Sequence, residues 1–161
     1  MSSARPSAAK TQVSDDRVLQ ISRRLKAPRA LVFKAFTDPV HLARWFGPEG
    51  FTVSECKVEP IVGGKFYVDM RSPEGKPHRV TGRFKAVDVH SRLIFTWAWL
   101  DEADKPGYET VVTITFEKIG NETEMLLHQE RFEDAEACGK HSHGWLSCFV
   151  CLEQYLAELQ G

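Results

Sequence analysis

The chain has 161 residues, 42% of them hydrophobic and 27% charged, with eight Pro and eleven Gly. This is one globular domain's worth of protein, and it excludes a collagen-like, low-complexity or largely disordered chain. Twenty-one Lys and Arg stand against 22 Asp and Glu, so no global field points to nucleic acid or to an anionic membrane surface. At this length a chain hides roughly 70% of its extended surface on folding, so the core needs no disulfide, structural metal or cofactor to hold it. The longest apolar run, 148–152, is far short of the roughly 20 residues of a transmembrane helix, and residues 1–16 contain no apolar signal core. No membrane span and a cytoplasmic location are therefore expected, with Cys56, Cys138, Cys148 and Cys151 as reduced thiols.

Residues 1–16 are small, polar and without periodicity and read as a mobile tail; 17–161 read as a single domain. From Arg17 to Leu25 apolar and polar residues alternate, and the adjacent Arg23 and Arg24 suit an edge strand. The acid-free set Arg17, Arg23, Arg24, Lys26, Arg29 and Lys34 reads as a solvated face. Pro28 fits a first helical position, followed by Leu31, Val32, Phe33, Ala35 and Phe36 at helical spacing. Asp38 as N-cap with Pro39 after it starts a second short helix, which Gly47 and Pro48 stop.

After Gly50 the pattern changes to six strands, at 52–59, 64–71, 78–88, 92–100, 110–119 and 122–132. A turn at 72–75 and the two-residue Gly120-Asn121 loop mark hairpins, so the strands form an antiparallel meander. The last element, 142–160, is a helix that gathers Trp145, Cys148, Phe149, Leu152, Tyr155, Leu156 and Leu159 on one broad face. Only the concave face of a sheet is large enough to accept that face. The fold class is α+β: a curved antiparallel sheet of about seven strands around a long C-terminal helix.

The element order, together with 27–33 (APRALVF), 45–48 (WFGP), 62–66 (VGGKF), 92–97 (RLIFTW) and 141–145 (HSHGW), resembles the START-like (SRPBCC) helix-grip superfamily. Within it the chain is similar to the bacterial subfamily homologous to the activator of the heat-shock-protein ATPase. The resemblance covers about residues 17–160 and implies an apolar cavity between sheet and C-terminal helix. A shared fold hosts many functions, so the resemblance speaks to architecture more than to activity.

Inward strand positions predict Phe66, Val68, Phe84, Trp97 and Trp99 on the sheet side of this space, with Trp45, Phe46, Trp145, Phe149 and Leu152 closing it from the helical side. Ten Phe, four Trp and three Tyr are the compositional excess of this chain, and these rings either line a cavity for a small hydrophobic or amphipathic ligand or simply fill the interior. His128 stands where the family often shows a strand-end histidine and, if inward, contacts the ligand. Asp69, Arg71, Glu74, His78 and Arg83 gather around one hairpin, either at a cavity mouth or as surface charge.

Cys138, His141, His143, Cys148 and Cys151 have the residue types of a zinc site. Along a helix, however, Cys138 and Cys151 stand roughly 20 Å apart and His141 and Cys148 roughly 10 Å, whereas ligands of one tetrahedral ion lie within about 4 Å of each other. No metal and no cofactor are expected. The Cys148-Phe149-Val150-Cys151 pair lies mid-helix among apolar residues, without the cation or helix N-terminus that a redox pair uses. No nucleophile elbow, phosphate loop or zincin helix is present, and Gly63-Gly64 precedes no helix.

The expectation is thus a binding protein for a small hydrophobic ligand. The resemblance implies two alternatives, a protein-interaction module that docks on a chaperone and a cyclase- or hydrolase-like enzyme in the same cavity. By analogy, edge strands and the aromatic rim after Trp45 offer a surface for a homodimer.

Overall fold

The computed structural model describes residues 11–12 and 16–161. The elements are β1 (Thr11–Gln12), β2 (Leu19–Leu25), α1 (Arg29–Thr37), α2 (Pro39–Trp45), β3 (Thr52–Val58), β4 (Lys65–Arg71), β5 (Pro77–Asp88), β6 (Arg92–Trp99), β7 (Thr110–Ile119), β8 (Glu122–Glu130) and α3 (Ala135–Gln160). All strands join one antiparallel sheet in the order β1-β2-β8-β7-β6-β5-β4-β3. The curved sheet holds α3 against its concave face, as the alternation and the broad apolar helix face predict. Residues 1–10 and 13–15 of the expected tail lie outside the described residues. Thr11 and Gln12 pair with Ile21 and Gln20, so β2 is covered at these two positions and is not the outermost strand.

Local chemistry explains most boundaries. Pro28 is the N-cap of α1 with extended backbone, one position earlier than its expected place inside the helix. Asp38 caps α2 as predicted, its carboxylate accepting from the Val40 N–H at 2.9 Å. The 72–75 turn closes with the Gly75 N–H on the Ser72 carbonyl, and Gly120 takes the positive φ that its two-residue loop requires. The largest difference lies at α3. It begins at Ala135, seven residues before the predicted start, because Asp134 accepts from the Ala137 N–H at 2.8 Å and nucleates the helix ahead of Gly139 and Gly144.

The core is the concave face of the sheet and what packs on it. Leu19 and Ile21 of β2, Val112 and Ile114 of β7, Met125 and Leu127 of β8, and Phe149 and Leu152 of α3 are fully buried. Each such side chain contributes roughly 1.5–3 kcal/mol of burial free energy. Phe33 and Phe36 of α1 meet Phe116 edge-on at 5.6 Å, which closes one end of the barrel-like space. Arg23 departs from the solvated reading of its basic neighbours: it faces α3 and pairs with Glu153 at 3.2 Å. Arg24 stays exposed, with Glu124 at 2.9 Å.

Register shifts between Val53 and Glu55 and between Phe84 and Ala86 mark bulges, the usual device for bending a sheet. Near the second, Gly82 brings β5 against β6 so closely that a Cβ there would lie 1.8 Å from the Thr96 carbonyl oxygen. That oxygen belongs to the paired backbone of β6, which cannot move away without parting the strands. Gly82→Ala is expected to destabilise the fold by about 3 kcal/mol, the upper end of overpacking costs, read as a lowered urea midpoint.

Candidate functional site

A cavity of about 500 Å³ opens between the first half of α3, the Phe46-Gly47-Pro48 segment that follows α2, Met70 of β4, and Trp97 and Trp99 of β6. Its helical wall is a single face of α3: Ala137, Lys140, His141, Gly144, Trp145 and Cys148 recur at spacings of three and one. The opposite wall is held in place from α3 itself. The Gly47 N–H donates to Cys148 Sγ at 3.1 Å and the Glu49 N–H to Ser147 Oγ at 3.0 Å. Gly47 has φ +114°, and a Cβ there would meet Phe51 and the Met70 sulfur at 3.2 and 3.3 Å, so only glycine fits.

Of the residues expected to surround a ligand, Phe46, Trp97, Trp99 and Trp145 stand on this wall. The Trp97 and Trp145 rings lie 5.2 Å apart, Trp97 and Trp99 meet edge-on at 5.5 Å, and Phe46 meets Trp145 edge-on at 5.9 Å. Trp45, Phe66, Val68, Phe84, Phe149 and Leu152 are buried elsewhere in the core and do not reach the cavity wall. Phe66 lies 4.6 Å from Phe95, and Trp45 4.9 Å from Phe36 with its indole N–H on the Ala35 carbonyl. The rings therefore divide, some filling the interior and some lining its mouth.

His128 requires correction. In β8 the inward positions are Thr123, Met125, Leu127 and Gln129, all fully buried, while Leu126 is 37% exposed. His128 shares the outer face with Leu126, because alternate residues of a strand point to opposite sides and the true parity is one residue off the expected one. The inward polar residue is its neighbour Gln129. Gln129 Nε2 donates to Thr110 Oγ1 at 2.8 Å, and its Oε1 accepts from Trp145 Nε1 at 2.8 Å. Thr110 Oγ1 in turn donates to the Trp97 carbonyl at 3.3 Å. This buried chain ties β6, β7, β8 and α3 together and orients one wall of the cavity.

The histidine at the site is His141. Trp99 Nε1 donates to His141 Nε2 at 2.9 Å and Trp97 Nε1 does so at 3.3 Å. His141 Nδ1 faces the Ala137 carbonyl at 2.8 Å. Indole offers only a donor and a carbonyl only an acceptor, so the ring is neutral with its proton on Nδ1. Burial pushes its pKa down, against a smaller upward pull from the Ala137 carbonyl. Burial likewise pushes the Cys148 thiol up to about 12, which leaves it protonated and unreactive.

Among the described residues no three His, Cys, Asp or Glu side chains are placed to share a metal ion. Of the hairpin charges, Asp69 is buried beside Arg71 at 3.0 Å, and Arg83 donates to the Gly63 carbonyl; neither these nor Glu74 and His78 line the cavity. His141, Gln129, Met70 and Gly144 were not expected at the site. The signal for His141 was the α3 periodicity, which becomes visible once the helix is begun at Ala135; Gly144 lay inside the expected helix but off its apolar stripe.

A curved antiparallel sheet that grips a long C-terminal helix behind two short helices, with an aromatic cavity at the helix's first half, defines a START-like helix-grip protein. A family model described as Activator of Hsp90 ATPase homolog 1-like protein matches residues 26–157, and the chain belongs to this family. Among solved structures it is similar to the AHSA1 protein from Silicibacter pomeroyi, with 27% identity, 89% of this chain and 99% of that one covered, and a TM-score of 0.82. A protein from Chromobacterium violaceum is similar at 28% identity, with 87% and 96% covered and a TM-score of 0.77. One from Arthrobacter aurescens, at 24% identity with 94% and 93% covered and a TM-score of 0.82, shares the fold. No curated protein matches in a sequence search.

Two outcomes follow from the polar groups. Gln129→Leu leaves the buried Trp145 N–H without its acceptor and removes the donor to Thr110 Oγ1, and is expected to cost about 2 kcal/mol, seen as a lower urea midpoint. For His141 the folded state binds a proton less readily than the unfolded chain, whose ordinary value is 6.5. Its stabilising contribution is full above about pH 6.5 and is lost as pH falls from there toward the depressed folded value. The urea midpoint should decline as pH falls below about 6.5, and that of His141→Gln should decline less.

Proposed function

We propose that this protein binds a small hydrophobic or amphipathic ligand in the cavity between α3 and the mouth of the sheet. The observation that carries this reading is Gly144. A glycine inside a helix costs about 1 kcal/mol relative to alanine, yet this one stands on the cavity wall, where a Cβ would meet no atom within 4 Å. Helix stability is given up at a position where a side chain would enter the cavity, which fits a site kept open for use. The volume of about 500 Å³ falls in the range of small-molecule sites, as does the combination of aromatic walls with few polar groups.

A reaction in this cavity has less support. Both His141 nitrogens are engaged and the Cys148 thiol is held protonated, so neither of these two side chains is a poised base or an activated nucleophile. Docking on a chaperone rests on the family's description and on no feature of this surface.

Gly144→Leu tests the reading directly. The substitution replaces a helix-weakening residue and places a side chain in the cavity, so it should raise the melting temperature by a few degrees and abolish ligand-induced changes in tryptophan emission and ligand carry-over in native mass spectrometry. A variant that is more stable and still binds as well as the parent would refute the assignment of the cavity.

A further inference from the structure

The polar groups around the cavity are spent in one direction. The indole N–H groups of Trp97 and Trp99 both donate to His141, and that of Trp145 donates to Gln129. The His141 Nδ1–H goes to the Ala137 carbonyl. What these side chains can still offer a ligand is ring surface, whose faces carry the negative lobe of the aromatic quadrupole. The N-terminus of α3, the other place that could hold an anion, already carries a carboxylate, because Asp134 accepts from the Ala137 N–H. Asp134 and Glu136 stand at the rim, and the cation among the described lining residues, Lys140, is within 3.5 Å of Glu136. The rim thus has two carboxylates against one ammonium, above walls of π surface and the Met70 thioether.

Resting on the reading of the cavity as a ligand site, we propose that its occupant is a cationic amphiphile, an alkylammonium whose charged head lies near Asp134 and Glu136 and whose chain runs against Phe46, Trp97 and Trp145. Two effects act together. An ammonium gains from the carboxylates and from the partly exposed Trp99 face on the same wall, whereas among the described lining side chains the donor left to an anionic head is Lys140, already paired with Glu136.

The test compares decyltrimethylammonium, decyl glucoside and decyl sulfate below their micellar concentrations, by tryptophan emission and calorimetry. The ammonium is expected to bind about tenfold tighter than the sulfate, and the preference should shrink as salt is added. Asp134→Asn with Glu136→Gln keeps a good N-cap residue and should erase the preference while leaving affinity for the glucoside within about twofold. Equal binding of the three heads, tighter binding of the sulfate, or a preference that survives in the double variant would overturn the proposal and leave the cavity reading standing. No binding of any of the three would overturn both.

Discussion

An indole N–H withdrawn from water must find an acceptor or cost about 1–3 kcal/mol, and those of the buried Trp97 and Trp145, with the partly exposed Trp99 beside them, converge on the space between β6 and the first half of α3. Everything at the mouth of this protein follows from how that requirement is met. Trp97 and Trp99 lie two residues apart on one strand face and share a single acceptor, His141. Trp145, one helical turn after His141, uses Gln129. The acceptors thereby fix the rings, the rings fix the histidine's tautomer, and the histidine keeps its first helical turn in register through Ala137. The result is a set of rigid, hydrogen-bonded walls around a volume that the same side chains do not fill.

Two halves of α3 divide the labour. From Phe149 onward its inward positions are large and packed, including Leu152 and Leu156, and they anchor the helix on the sheet. Before Trp145 the helix presents Ala137, His141 and Gly144 to the same side, and the sheet does not close over them. The packed half supplies the stability that lets the other half remain underfilled. This also fits a space that opens into a cavity beside the first half of α3, while Phe33, Phe36 and Phe116 pack together at its other end.

Much of this was legible in the chain. Alternation gave the strands, the Asp38-Pro39 and Gly120-Asn121 pairs marked a cap and a turn, and the apolar stripe after Trp145 called for a concave sheet. Two features escaped for local reasons. Gly139 weakens any propensity-based view of a helix around it, so α3 read as starting at Ser142, and the face that builds the cavity wall was cut short. His128 and Gln129 are neighbours on a strand, and an error of one residue in parity moves a side chain from the inside to the outside; the amide, not the imidazole, is inward.

Composition, periodicity and turn chemistry determined on their own that this is a curved antiparallel sheet gripping a C-terminal helix, because those properties are local and repeat every two or 3.6 residues. They also determined that aromatic rings gather between the two layers. Which rings fill that space and which line it was decided only by tertiary structure, since the answer depends on where β6, β8 and α3 bring donors and acceptors together across 16 to 44 residues of sequence. A cavity is a difference between the volume that a backbone encloses and the volume that side chains occupy, and no local pattern encodes that difference.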